Sequence, residues 1–190
     1  MTRLVVVSAG TTPGCLTDRL AEWIGIGTAR ALGPGCSPTT WRLAEHADAI
    51  AAGLVTCRPD PRLAALTESL AGADVLVAAT PVHNASYSAL FKAFFDQQPR
   101  GVLAGVPTIL GIAGGSQRHG LVLDLVLRPY LSTLRALPVP TAIDVHRGDW
   151  LPHGMPTAEV DSRIARAAEE AAALSAAPAV YRPERLQARA

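Results

Sequence analysis

Three polar stretches of the sequence carry the residue types found in nucleotide-binding loops. They are residues 8–14 (SAGTTPG), 80–88 (TPVHNASYS) and 114–120 (GGSQRHG). Glycines let the backbone approach a ligand closely, while loop N–H groups and hydroxyls can hold an anion. The chemistry that these residues suit is therefore the binding and orientation of a phosphate-bearing ligand.

The first stretch joins an apolar run to a segment whose periodicity predicts an amphipathic helix. Free N–H groups and the helix dipole favour an anion at a helix N-terminus, so this loop suits a phosphate. The alternative is an ordinary strand-to-helix turn that is capped by Thr12 or Thr17 and binds no ligand. The loop matches neither the Walker pattern nor GxGxxG, so both interpretations stay open.

The second stretch follows a valine-rich run, residues 74–79, that predicts a buried strand. We expect the chain to leave the sheet at Thr80 and Pro81, because proline has no N–H for a ladder hydrogen bond. Ser86 is the predicted N-cap of a helix. The apolar face of that helix consists of Tyr87, Leu90, Phe91, Phe94 and Phe95, and we expect its phenylalanines to pack in the core and between subunits. Ligands of open α/β sheets bind at such loops, so the active site is placed here.

Strand-like and helix-like segments alternate along the chain. The predicted strands are residues 4–7, 39–43, 74–79, 107–113 and 139–145, the last interrupted by Pro140. Helices are predicted after each strand, with a kink at Pro129, while residues 45–60 show no clear pattern. This alternation predicts the α/β class, a flavodoxin-like three-layer sandwich with a five-stranded parallel sheet of order 2-1-3-4-5. In that order the three polar loops open on one carboxyl edge.

The composition is that of a compact, nearly neutral protein. The 190 residues are 49% hydrophobic and 17% charged, with a formal net charge of +1. We expect one domain at residues 1–176 and a loose tail at residues 177–190. The charge indicates neither nucleic acid nor an anionic membrane as a partner, and no run approaches the roughly 20 apolar residues of a membrane span.

The three cysteines and the sparse surface charge carry two further expectations. Cys15, Cys36 and Cys57 are odd in number and widely spaced, which argues against a disulfide framework or a zinc site. We expect a cytoplasmic protein, because the apolar run at the start of the sequence is too short for a signal peptide and no segment could span a membrane. The low charged fraction indicates contacts between subunits, in a homodimer or homotetramer.

The second and third loops together resemble those of a known family. TPVHNASYS at residues 80–88 is similar to the TPVYxxSYS loop of the NADPH-dependent FMN reductases, flavodoxin-like enzymes that serve two-component flavin monooxygenases. The likeness continues in register from residue 94 to residue 134, through the Gly-Gly-Ser loop with its following His and an Asp-x-x-Leu-Arg-Pro helix. It covers about residues 5–137.

This resemblance implies FMN and NADPH or NADH as cofactors, a flavin-dependent monooxygenase as partner, and no metal. Hydride would pass from the nicotinamide to the flavin, with backbone N–H groups of residues 84–86 and 114–116 as donors to the ring. The implied phosphate contacts are Ser8, Thr11, Thr12 and Thr17. The implied ring contacts are Pro81, Val82, His83, Asn84, Ser86, Gly114, Gly115 and Ser116, and Arg118 and His119 are candidates for the dinucleotide phosphates.

The first loop departs from the family pattern. Relatives commonly show Ser-Ser/Thr-Arg where this chain has Cys15, Leu16 and Asp18, so phosphate binding should be weaker, which fits a protein that releases flavin.

Other interpretations stay open. They are an FMN-retaining quinone or azo reductase, a flavodoxin-like electron carrier and a flavin-free interaction module. Solvation without a ligand is likewise open for His83, Arg118 and His119, and helix capping for Asn84.

Overall fold

Valine-rich runs form the centre of a parallel sheet in the computed structural model, which describes residues 2–114 and 120–177. Strand β1 (Leu4–Ser8) lies between β2 (Pro38–Arg42) and β3 (Val75–His83), and both pairings are parallel. Every residue of β1 is buried, as expected for a strand covered on both faces.

The other half of the sheet extends from β3. A short strand, β4 (Ser86–Tyr87), pairs with the end of β3 in antiparallel fashion. On its main length β3 pairs in parallel with β5 (Pro107–Ala113). Beyond β5 lie β6 (Leu137–Pro138) and β7 (Ile143–Val145), which pair with different parts of it. The predicted order 2-1-3-4-5 is confirmed, because β7 lies within the predicted fifth strand, while β4 and β6 are short additional strands.

Helices cover both faces of the sheet. Leu4 and Val6 point to one face, where α1 (Leu16–Leu32) and α7 (Ala158–Ala176) pack. Val5 and Val7 point to the other face. That face is covered by α2 (Ala47–Thr56), α3 (Ala64–Gly72) and α4 (Ala89–Asp96), with the helical region 120–133 beside them. The three-layer prediction is confirmed.

The helical region 120–133 contains a π-helix. It comprises α5 (Gly120–Val122), the π-helix Leu123–Leu127 and α6 (Arg128–Thr133). The sequence predicts one continuous helix with a kink at Pro129. The structure instead shows a π-helix just before Pro129, because proline has no N–H to donate to the carbonyl one turn back. The guanidinium of Arg128 donates to the carbonyl oxygens of Val139 (2.7 Å) and Pro140 (3.0 Å), which anchors α6 beside the sheet.

Residues 45–60 were predicted to lack a clear pattern, and the structure corrects this. They contain the second half of a 3-10 turn, Leu43–His46, and all of α2. Helix α2 buries Ala49, Ile50 and Gly53 but leaves Leu54 and Val55 exposed. Because its apolar residues are not confined to one face, the amphipathic periodicity that identifies a surface helix is weak.

Three more 3-10 turns complete the described structure, at Pro61–Leu63, Arg147–Asp149 and Pro152–Gly154. Among the described residues, no helix is long and apolar enough to cross a membrane. Residues 178–190 lie outside the described ranges, so the loose tail stays a prediction.

Candidate flavin site at the carboxyl edge of the sheet

The three polar loops start from neighbouring strands at the same edge of the sheet. Ser8 is in register with Ala79, and Pro81 is in register with Ala113. The N–H of Ala9 donates to the carbonyl of Ala79 (2.9 Å), which keeps β1 and β3 together up to the point where the first loop begins. The predicted convergence of the loops on one edge is confirmed for the residues from which they start.

The second loop is a β-hairpin, which corrects the prediction that the chain leaves the sheet at Pro81. Strand β3 continues through Pro81 to His83, and Val82 and His83 then pair with β4. Pro81 is tolerated because it is the last residue of β3 in register with β5. Asn84 and Ala85 form the tip, with φ values of 49° and 58°. Two consecutive positive φ values are typical of the type I′ turn, whose twist matches that of the strands.

Helix α4 begins two residues later than predicted. Ser88, not Ser86, is the N-cap, and its hydroxyl accepts a hydrogen bond from the N–H of Phe91 (3.2 Å). The N–H of Ser88 in turn donates to the hydroxyl of Thr80 (3.1 Å). This hydrogen bond joins Thr80, just before the hairpin, to Ser88, just after it. It therefore fixes the base of the hairpin against the start of α4.

Aromatic contacts also hold the hairpin. The ring of Tyr87 in β4 lies 4.8 Å from the ring of Tyr130 and 5.8 Å from that of Phe91. The hydroxyl of Tyr130 donates to Asp96 (2.9 Å), and burial, with a smaller effect of Asp96, raises the pKa of Tyr130 far above its usual value. Tyr130 therefore stays neutral and supports the hairpin. The phenylalanines Phe91, Phe94 and Phe95 are fully buried, which confirms their predicted place in the core.

The hairpin presents its tip to solvent. His83, Asn84 and Ala85 are exposed, Pro81 and Ser86 are half-buried, and Val82 is buried. A two-stranded ribbon at this edge offers backbone groups and small side chains to a flat ligand, without a strongly charged group. Such a surface can contact an aromatic ring system through its backbone groups and the imidazole of His83.

The first loop is closed by the carboxylate of Asp18. Its Oδ1 accepts a hydrogen bond from the hydroxyl of Ser8 (2.5 Å), and its Oδ2 accepts one from the N–H of Gly14 (3.1 Å). Asp18 and Ser8 are buried, with exposed fractions of 7% and 1%. The hydroxyl of Ser8 also accepts from the N–H of Gly10 (3.2 Å). An internal carboxylate thus receives the hydrogen bonds that a bound anion would receive.

The four predicted phosphate contacts fall into two pairs. Ser8 and Thr17 are buried, and Thr17 is 2% exposed. Thr11 and Thr12 are exposed in the loop. Cys15 occupies the N-cap position of α1 without a side-chain hydrogen bond, so neither predicted cap, Thr12 or Thr17, serves there. Two hydroxyls of the predicted set are therefore accessible to a ligand, and two are not.

Arg42 is a charged residue of this edge that the sequence analysis missed. It is the last residue of β2, in register with Ser8, and its Nε lies 3.7 Å from Oδ2 of Asp18. It also lies 3.9 Å from Glu45, and its side chain is 44% exposed. Arg42 could have been identified from the predicted sheet order, because that order places the carboxyl end of β2 beside the carboxyl end of β1.

The third loop is described only at its ends. Gly114 is buried, and its N–H donates to the carbonyl of Val145 (2.9 Å). Its backbone N–H is thereby engaged within the sheet. Gly115, Ser116, Arg118 and His119 lie outside the described residues.

The edge fits the two parts of FMN differently. The hairpin and the end of β5 offer an uncharged surface that suits an isoalloxazine ring. The first loop, in contrast, holds a buried carboxylate where the flavin phosphate was expected. Because two anions at one site repel each other, the loop as it stands does not fit a phosphate well.

Comparison with known proteins identifies relatives of this chain. The sequence profile of the family described as NADPH-dependent FMN reductase matches residues 2–148. An FMN reductase (NADPH) of Pseudomonas aeruginosa is 33% identical over 70% of this chain and 71% of its own length. The NADH-dependent FMN reductase SfnE of Pseudomonas putida is 39% identical, but over only 54% of this chain and 55% of its own length.

A solved structure supports the relationship over a greater length. The crystal structure of an oxidoreductase from Corynebacterium diphtheriae superposes with a TM-score of 0.84 at 40% identity, covering 92% of this chain and 96% of that one. The sheet order and the matched residues together establish that this chain belongs to the NADPH-dependent FMN reductase family.

Proposed function

We propose that this protein is an NAD(P)H:FMN oxidoreductase that transfers hydride from a reduced nicotinamide to FMN and then releases the reduced flavin. The observation that carries the proposal is the convergence of the three loops on one sheet edge in a chain of this family. Bound flavin would supply the hydride-accepting chemistry. The protein would bind, orient and shield the ring.

The proposed ring contacts are those of the hairpin and the third loop. We assign them to Pro81, Val82, His83, Asn84, Ser86, Gly114, Gly115 and Ser116. Backbone N–H groups at the hairpin tip are the proposed donors to charge that develops on the ring. Thr11 and Thr12 are the accessible members of the predicted phosphate set, and Arg118 and His119 keep their assignment to the dinucleotide phosphates.

The wider context is part of the same proposal. Reduced FMN would serve a flavin-dependent monooxygenase, as the family resemblance implies, and the enzyme would act in the cytoplasm as a homodimer or homotetramer. Relatives named for NADH and for NADPH both match, so either nicotinamide is a candidate donor.

The direct test is NAD(P)H oxidation by protein freed of flavin, measured with and without added FMN. We expect the rate to depend on FMN and to saturate with it, with each nicotinamide assayed separately. A rate that is indifferent to FMN would contradict the proposal. Flavin that stays bound through purification, with electrons delivered to a quinone or azo compound, would instead identify a flavin-retaining reductase.

A further inference from the structure

We propose that Asp18 determines flavin specificity: its carboxylate takes the place of the flavin phosphate, so that the site accepts flavins without a phosphate, such as riboflavin, as readily as FMN. The inference rests on the proposed function, because it concerns the flavin that the same edge binds. It assigns a substrate class that reaches beyond FMN.

The first argument is the use of the loop donors. Asp18 receives hydrogen bonds from the hydroxyl of Ser8 and the N–H of Gly14, one on each carboxylate oxygen. A phosphate at the start of α1 would compete for the same two donors. Burial makes the competition unfavourable, because the displaced carboxylate would lose its partners away from water.

The second argument is charge. A phosphate monoester carries about −1.5 to −2 charges near pH 7, and the buried carboxylate adds another negative charge to the same loop. The nearby cation, Arg42, already lies 3.7 Å from Asp18 and 3.9 Å from Glu45. The positive charge that a phosphate would need is thus shared by two carboxylates of the protein.

The third argument is space. A Cβ added at Gly10 would clash with Sγ of Cys15 and would lie 2.7 Å from Oδ1 of Asp18. The end of β1 and the start of α1 therefore close tightly on the carboxylate. Thr11 and Thr12 remain exposed at the outer side of this closed turn, where hydroxyls can bind the polar chain of any flavin.

The test compares dissociation constants for FMN and riboflavin, measured by quenching of flavin fluorescence. We expect wild type to bind the two within about threefold of each other, since the phosphate gains little. Asp18→Asn removes the charge, and Asp18→Ser also frees Ser8 and Gly14. FMN affinity should rise in that order, by about tenfold or more for Asp18→Ser, while riboflavin affinity stays within about twofold.

Glu22→Gln is the matched control, because it removes one carboxylate from an exposed position on the same helix. It should leave both dissociation constants unchanged. Thermal unfolding of each variant checks that it is folded. If the Asp18 variants fail to fold, the FMN dissociation constant of the wild-type protein is measured at increasing salt concentration. We expect FMN affinity not to fall as salt is raised. A phosphate held by cations would instead bind more weakly at high salt.

Each of three results would overturn the inference. Wild type that binds FMN more than about tenfold tighter than riboflavin has a working phosphate site, and this outcome leaves the proposed reductase activity intact. Asp18 variants that are folded but show unchanged FMN affinity would exclude Asp18 as the determinant. Failure to bind or reduce either flavin would overturn the proposed function itself, and the inference with it.

Discussion

Two carboxylates of this protein are each held by a backbone N–H group together with a neighbouring side chain, a hydroxyl in one case and a guanidinium in the other. Asp18 is the buried case, and its partners decide which ligand the first loop can receive. Asp60 is the surface case. It accepts hydrogen bonds from the N–H of Arg62 (2.9 Å) and from that residue's guanidinium (2.8 and 3.0 Å). The same chemistry therefore serves specificity at one site and local order at another.

The side-chain hydrogen bonds from Arg62, followed by the one from its N–H, lower the pKa of Asp60 to about 2. A carboxyl with a lowered pKa contributes stability that is present above its unfolded pKa. That contribution is lost as the pH falls from about 4 to about 2. An NMR titration of the Asp60 carboxyl should give a midpoint near 2 in wild type and a clearly higher one in Arg62→Gln.

Arg58→Gln serves as the control for that titration, because it removes the same charge from an exposed position two residues before Asp60. We expect the Asp60 midpoint to stay near that of wild type in this variant. Equal midpoints in wild type and Arg62→Gln would show that the contacts with Arg62 do not set the pKa.

At the scale of elements, the β3–β4 hairpin is a feature that local sequence patterns did not predict. Two-residue hairpins are recognised by Asn-Gly or Asp-Gly, and here the tip is Asn84-Ala85. Alanine at the second position hides the turn, so the sequence predicts instead that the strand ends at Pro81 and that Ser86 caps the helix. The strand order was easier to predict, because buried valine runs alternate with helices.

The tip of the hairpin offers a stability test. Ala85 has a φ of 58°, a conformation that glycine adopts at less cost. Ala85→Gly should therefore raise the free energy of unfolding, by up to about 1 kcal/mol, measured by urea denaturation. Ala51→Gly, at an exposed position within α2, should lower it by about 1 kcal/mol. A loss of stability in both variants would contradict the positive φ at Ala85.

At the scale of the whole molecule, the sequence predicted the layers and the order of the sheet but not the contacts that decide the site. Every residue of β1 and β5 is buried, as expected for central strands of a parallel sheet covered on both faces, so the fold could be predicted from continuous apolar runs. The ion pair of Asp18 with Arg42 joins residues on different elements. It depends on the register of β2 against β1, which local patterns do not specify.

Two exposed leucines in the helical region 120–133 allow a test of the predicted oligomer. Leu121 and Leu125 are 70% and 69% exposed, although both are large apolar residues. Burial of such side chains against a second subunit is favourable, and we expect the proposed homo-oligomer to use them. Leu125→Asp should lower the molar mass measured by light scattering, and Leu121→Asp should do the same. Leu174→Asp, on α7 and 42% exposed, should leave the mass unchanged. A wild type with the mass of one chain would contradict the predicted oligomer, and an oligomer unaffected by both substitutions would place its interface on another face.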